Sequence, residues 1–532
     1  MALNALGPFA AQIFTRVLML GYAVVQYRLI GGGANALGDY FLAGIVLMYT
    51  GTISDWGLGT LLPREVAKRI GGEGSESKDQ ESGAREQRPV SNSESELFRQ
   101  TLVLRLLISI TLFVPVGVFV LVYVRWFGLS MAGAWVTLLL TLSLVPGAYS
   151  GSVTALLYAR ERMSLPAAVG VATSMLNVGL GVAALLLGWG VVGLALAALA
   201  SSVATAGAFF GIMQYGLRIA NSAVTGLGAV SPAKSKILDK AKALELLRDG
   251  WPLMLNALLV GLFFRADQFI IKARLSTLDV ERYAAAYSFL SFVLLITPAV
   301  TLALFPRMAR HAEADRARLA YEYYFALKVL VLLSVPLVAL TVWLAPLLIT
   351  IVTGGKSEYL PQSAIALQIL ILFLPLSFVN GVTQYVLIAL NLQKLITRAF
   401  GATVVFNIGS NMLLVPAMGI NGAAVTTVAS EIVLLVPFLY WTSRELGVVD
   451  IVGVTWRAGA GAAAVGAVGW LLRSTLESWP TGGPELAAYL GTGVLLVAVY
   501  AGVVAALRPF SEGEVAGLRR ALRRERPASY ES

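Results

Sequence analysis

Arg16, Arg105, Arg265 and Lys328 stand inside long apolar stretches, where a charge has to be explained. An arginine or lysine at the centre of a bilayer costs about 2.5 to 3.5 kcal/mol even on the lenient insertion scale. Four of them facing lipid would cost on the order of 10 kcal/mol, comparable to the stability of a whole domain. Most must therefore face a wet or protein-lined cavity, where a cation offers charge-assisted hydrogen bonds to an anion. These four are the candidate substrate-binding residues. Their acidic counterparts are Asp55, Asp267 and Glu431, which read either as interhelical hydrogen-bond partners or as sites of ion coupling.

Position along each stretch separates the four cations. Arg16 lies about ten residues beyond Leu6 with Gln12 on the same helical face, which favours a cavity. Arg105 is only about four residues into its stretch, where snorkelling to headgroups competes with a cavity role. Lys328 is about five residues in, and both readings stay open. Arg265 and Asp267 are two residues apart, about 200 degrees around a helix, so they cannot share a cavity. Arg265 shares a face with Gln268, and Asp267 shares one with Asn256. One of the two is expected on a central cavity, the other against a neighbouring helix.

Enzyme constellations lack their parts. There is no cysteine and one histidine, His311, set in a basic loop where a solvated or headgroup-facing place is expected. A zinc or haem site is therefore not expected, and neither a metal nor a cofactor is assigned. Gly354-Gly355-Lys356-Ser357 resembles the end of a phosphate loop, but Thr350 occupies the place of its first glycine.

The elements that must position these residues are membrane helices. Apolar residues make up 57% of the 532 residues and charged ones 13%, with mean hydropathy +0.77, where a soluble domain carries about a quarter charged residues. The apolar runs of about 20 to 28 residues each cross a hydrocarbon core of about 30 Å. They number about fourteen, giving an all-α polytopic membrane protein. Lys and Arg fall in alternate gaps, roughly 29 on one side and roughly 7 on the other, so the basic side and both termini are expected in the cytoplasm. The net charge of +10 is absorbed by that bias and by anionic membrane lipids, so no nucleic-acid partner is inferred. Met1 to Gln12 lacks the basic region and cleavage site of a signal peptide, so the first span is expected to be retained.

The chain divides into a first six-span lobe at 1–218, a cytoplasmic linker at 219–249 and a second six-span lobe at 250–442. An extra pair of spans at 443–508 and a basic tail at 509–532 follow. Residues 71–96 have no hydrophobic period and read as a disordered cytoplasmic loop. Ser235 to Leu247 places apolar residues at helical spacing among lysines, which suggests a helix lying on the inner surface. Pro115, Pro146, Pro298, Pro336, Pro346, Pro375 and Pro437 sit within spans, as hinges or as ordinary membrane-helix prolines.

The two lobes repeat. Leu62-Pro63-Arg64 matches Phe305-Pro306-Arg307, with Tyr40 and Tyr283 opening those spans, and Leu176-Asn177-Val178-Gly179 matches Phe406-Asn407-Ile408-Gly409. Each repeat holds an even number of spans, so the copies run in the same orientation about an axis along the membrane normal. Such a build places its substrate between the halves and rocks one against the other.

Arg28-Leu29-Ile30-Gly31 with Gly38-Asp39-Tyr40, then Asp55-Trp56-Gly57-Leu58-Gly59 and Pro63-Arg64, resembles the opening of polysaccharide and O-antigen flippases. These belong to the multidrug/oligosaccharidyl-lipid/polysaccharide exporter superfamily. Pro306-Arg307 and Gly419-Ile420-Asn421-Gly422-Ala423 are similar to that family's second-half landmarks. The resemblance implies two six-helix lobes in a V that move an undecaprenyl-pyrophosphate-linked oligosaccharide across the cytoplasmic membrane by alternating access. It implies a transporter rather than an enzyme, with polysaccharide polymerase or glycosyltransferases as further partners. Thr15-Arg16 also resembles the Ser-Arg of the lipid II flippase's first helix, although Tyr22 stands where that flippase has a second arginine. A cation-coupled multidrug exporter of the same superfamily would instead need an acidic cavity. A membrane glycosyltransferase would need a large outer loop, and every outer loop here has about a dozen residues or fewer.

Overall fold

A computed structural model describes residues 2–32, 37–73, 92–160, 162–221, 239–294, 308, 311–312, 315–447, 451–472, 483–510 and 514. Among these there are helices and no strands. In chain order the first eleven are α1 Ala2–Ile30, α2 Leu37–Asp55, α3 Leu58–Glu73, α4 Asn92–Thr111, α5 Phe113–Trp126, α6 Met131–Leu142, α7 Leu144–Ala159, α8 Ser164–Leu186, α9 Gly190–Asn221, α10 Lys240–Arg274 and α11 Thr277–Val293. The others are α12 Arg316–Thr353, α13 Gln362–Leu370, α14 Phe373–Ala389, α15 Gln393–Met418, α16 Ile420–Leu446, α17 Ile451–Leu471 and α18 Gly483–Ala506. Lipid cannot satisfy backbone N–H and C=O groups, so a chain this apolar has to close its hydrogen bonds within helices.

Four pairs, α2/α3, α4/α5, α6/α7 and α13/α14, are single spans interrupted by a turn, and counting each pair once leaves fourteen spans among the described residues. Twelve of these are long and apolar enough to cross a membrane by length and composition. The other two are α11, Thr277–Val293, and α17, Ile451–Leu471.

Three of the interruptions have one cause. The breaks are at Leu112, Ser143 and Ile371–Leu372, and the carbonyls four residues before Pro115, Pro146 and Pro375, those of Thr111, Leu142 and Ile371, lie at or next to them. A proline has no N–H for the carbonyl four residues back and its ring crowds that carbonyl, so the helix gives way there. The fourth interruption differs, because Trp56 and Gly57 both take positive φ, 48° and 74°. A Cβ on Gly57 would lie 2.6 Å from the Gly250 carbonyl of α10, so this turn needs a glycine for both backbone angle and space.

Two expectations change. Of the surface helix expected over Ser235 to Leu247, 235–238 lies outside the described residues, and Lys240 to Leu247 is the first two turns of the 35-residue α10 rather than a separate helix. Asp239 caps it at the Ala241 N–H, Leu246 is buried among Leu58, Leu62, Leu97 and Leu104, and the Trp56 indole donates to the Leu247 carbonyl at 3.0 Å. Helices α3 and α4 also take residues 71–73 and 92–96 of the segment read as disordered, while 74–91 lies outside the described residues. The α4 start is held by Glu94, buried and 2.8 Å from Arg160, and by buried Leu97.

By internal contacts the chain forms two units. The first comprises Met1–Leu295, Leu347–Ala366 and Thr397–Ser430, and the second Ile296–Pro346, Leu367–Ile396 and Glu431–Ser532. Helices α12, α13, α15 and α16 each contribute to both. Within the first unit, two helix ends cap each other. Arg28 of α1 donates to the Ile351 carbonyl of α12 at 2.8 Å, while Lys356, just past α12, donates to the Tyr27 and Gly31 carbonyls at 3.0 and 2.7 Å. These cations answer carbonyls at the two helix C-termini, where intrahelical donors run out, although the Tyr27 carbonyl also accepts from the Gly31 N–H. Beside them the buried Glu281 carboxylate accepts from Gly32 N, Gly38 N and the Tyr359 hydroxyl. Burial, with that carboxylate alongside, pushes the Tyr359 hydroxyl well above its ordinary pKa.

Candidate functional site

Arg105 and Asp55, predicted separately as a binding and an ion-coupling candidate, are one ion pair. The α2/α3 turn ends with the Asp55 carboxylate capping Gly59 N at 3.2 Å and meeting the Arg105 guanidinium from α4. Arg105 also donates to the Ser152 hydroxyl of α7 at 3.1 Å and is 5% exposed. It therefore does not snorkel, and in this conformation its charge is spent on Asp55. The second unit repeats the arrangement with different residues. Lys328 of α12 donates to both Glu514 oxygens at 3.0 and 3.1 Å, with the Phe510 ring 5.6 Å from its nitrogen. Glu514 lies beyond the last span, so a segment of the tail supplies this counter-charge.

Arg265 has different surroundings. It is half-buried on α10, nine residues or about 13 Å from the helix end at Arg274. Its Cζ lies 4.3 Å from the centroid of the Tyr287 ring, a cation–π contact that orients the guanidinium without neutralising it. It lines a cavity of about 280 Å³ together with Gln268, Phe41, Met48, Tyr287 and Ser288, formed by α2, α10 and α11. No carboxylate is among its lining residues. Arg265 and Gln268 thus share the cavity face, and Asp267 points away from it, as the helical spacing requires.

Asp267 is 2% exposed and accepts from the Tyr283 hydroxyl at 2.5 Å, the Gln268 N–H at 2.8 Å and, at 3.5 Å, the Thr427 hydroxyl of α16. Glu431, on the same helix but in the second unit, is 1% exposed and accepts from the Asn380 amide of α14 at 2.6 Å. The hydrogen-bond donors to both carboxylates are neutral, and the Arg265 charge acts on Asp267 in addition. Arg16 is exposed on α1. Tyr22, six residues on, is buried against Gly181 of α8, so that position packs between helices.

Some residues gave no warning in the sequence. Asp39 and Lys272 form a buried pair at 2.7 Å, with Ser130 N donating to Asp39 and Lys272 donating to the Gly128 carbonyl and to Thr277. Asp39 stood in the Gly38-Asp39-Tyr40 motif, but nothing in the sequence singled out Lys272. His311 lies 3.6 Å from Glu322, and Lys356 of the phosphate-loop lookalike is occupied by carbonyls. Among the described residues no group of three His, Cys, Asp or Glu side chains is placed to hold a metal. A second cavity, about 610 Å³ and lined mostly by apolar residues including Val338, Val342, Trp343 and Val465, lies in the second unit.

The fourteen helical spans among the described residues, together with the family models and structures they match, identify a polytopic transporter of the multidrug/oligosaccharidyl-lipid/polysaccharide exporter superfamily. The chain belongs to the polysaccharide biosynthesis protein family, whose model matches residues 4–312. A second model, MatE, matches residues 252–413. Comparison with curated proteins found no matching sequence. Among solved structures, a lipid II flippase MurJ in an inward closed conformation matches with TM-score 0.68 and 14% identity, over 94% of this chain and 98% of that one. An inward-facing multidrug resistance MATE family transporter matches with TM-score 0.60 and 18% identity, over 81% and 94%. A transporter of the superfamily from Pyrococcus furiosus, described as having reverse polarity of its binding pocket, matches with TM-score 0.54 and 16% identity, over 83% and 95%. At these identities the likeness is one of fold.

Proposed function

We propose that this protein is a flippase that carries an undecaprenyl-pyrophosphate-linked oligosaccharide across the cytoplasmic membrane, by alternating access, for cell-surface polysaccharide biosynthesis. The observation that carries this reading is Arg265, a guanidinium held by an aromatic ring in a cavity with no carboxylate among its lining residues. A pyrophosphate leaving water needs charge-assisted donors, and a planar guanidinium matches phosphate oxygens in pairs. A cation-coupled drug exporter would need the opposite lining. At about 280 Å³ the cavity is at or below the bottom of the usual small-ligand range of about 300–1,000 Å³, so it suits an anionic headgroup and leaves a glycan outside it.

In this reading Arg16 adds a second cation along the cargo's path, while Arg105 and Lys328 become available only if their carboxylates let go. Asp267 and Glu431 are the ion-coupling candidates, since a carboxylate hydrogen-bonded by neutral donors can exchange a proton or cation without breaking an ion pair. The repeat halves at 1–218 and 250–442 are the moving bodies, both termini are cytoplasmic, and polymerase or glycosyltransferases act beside it. The test is flipping of a fluorescent lipid-linked glycan in proteoliposomes. Arg16→Ala with Arg265→Ala is expected to slow it at least tenfold, and unchanged flipping would overturn the cavity chemistry.

A further inference from the structure

We infer that Gln268 is a second cargo contact beside Arg265 and selects a diphosphate over a monophosphate; the inference rests on the reading that an anionic headgroup enters this cavity. Gln268 is 1% exposed and lines the cavity, yet its amide nitrogen has no hydrogen-bond partner. Its backbone N–H is satisfied by Asp267, so only the side chain is left over. A buried amide without a partner is destabilising, the more so inside a membrane, where water is not at hand. A ligand acceptor would remove that cost.

The neighbouring polar groups are already committed. The Ser288 hydroxyl donates to the Ala284 carbonyl at 2.9 Å and the Tyr287 hydroxyl to the Phe264 carbonyl at 3.0 Å. Among the lining residues, Arg265 and Gln268 therefore supply the remaining side-chain donors, one charged and one neutral. Three residues apart on α10, they start from Cβ atoms about 5 to 6 Å apart on one face. A single phosphoryl group on Arg265 leaves the amide unanswered. A diphosphate places one phosphoryl group on the guanidinium and carries a second set of acceptor oxygens toward Gln268.

The test uses the purified full chain in detergent, titrated calorimetrically with farnesyl diphosphate and with farnesyl monophosphate. The wild type should bind the diphosphate about tenfold more tightly. Gln268→Met, which keeps length without a donor, should bind both alike at the monophosphate level, and Gln268→Glu should weaken the diphosphate further. Arg265→Ala should weaken both probes at least tenfold. Retention of the preference in both Gln268 variants, or its absence in the wild type, overturns the role of Gln268. If Gln268→Met lowers the melting temperature, Gln268→Glu and the wild-type preference still decide. Arg265→Ala binding both probes normally, or a wild type that binds neither, overturns the cavity reading along with the inference. Loss in Arg265→Ala with the preference intact in the Gln268 variants overturns the inference alone.

Discussion

Arg105 and Arg265 are the same side chain within apolar spans, yet one is neutralised by Asp55 and 5% exposed, and the other faces a cavity with an aromatic ring beneath it. The difference lies in the neighbours. A carboxylate turns an intramembrane arginine into a pin between helices, whereas a ring holds the guanidinium still without pairing it directly with a carboxylate. An intramembrane cation thus indicates binding when no carboxylate is paired with it and none lines the cavity it faces.

The contrast can be broken most forcefully at the pinned end. Asp55→Ala leaves the Arg105 charge buried without its carboxylate and should destabilise by about 2 to 4 kcal/mol, less than a fully buried pair because Asp55 is about one-third exposed. A melting temperature in detergent equal to wild type would refute the pin. For Lys328 and Glu514, a double-mutant cycle with Lys328→Met and Glu514→Gln should return a coupling of about 1 to 3 kcal/mol in thermal unfolding, and additive effects would show that the tail contact contributes nothing. Arg265→Ala should do the reverse of Asp55→Ala. Melting should stay near wild type while glycan flipping falls at least tenfold, which is about 1.4 kcal/mol of lost interaction. The smallest effect is expected for Tyr287→Leu, which removes the ring under Arg265 and should weaken headgroup binding by about 0.5 to 1 kcal/mol, read by the same calorimetry.

Much of this frame was legible in the residues. Apolar run length yields the fourteen spans because each helix must satisfy its own backbone in lipid, and three of the four interruptions follow from prolines placed three or four residues beyond them. The opposed faces of Arg265 and Asp267 follow from helical geometry alone. What could not be read is who meets whom. Periodicity assigns a face but not the helix opposite it, so the pairing of Arg105 with Asp55 was hidden and two candidate roles collapsed into one contact. The Lys328 partner, 186 residues away, lies outside every span and carried no periodic signal at all. Gln268 was visible as a neighbour of Arg265 on the helix, but its unanswered amide emerges only once packing shows that no other group reaches it.

The reciprocal capping of α1 and α12 bears on how topology is counted. Arg28 and Lys356 both fall among the minority of cations on the side that the basic-residue count assigns to the outside, as do Lys272 and Arg282. Each has a fixed job: Arg28 and Lys356 on helix-end carbonyls, Lys272 on Asp39, and Arg282 on Asp279 and the Glu358 carbonyl. They are joinery rather than orientation signals. Setting such cations aside before the two sides are weighed makes the asymmetry steeper, and the same correction applies wherever a sparse side of a membrane protein holds its few charges in fixed contacts.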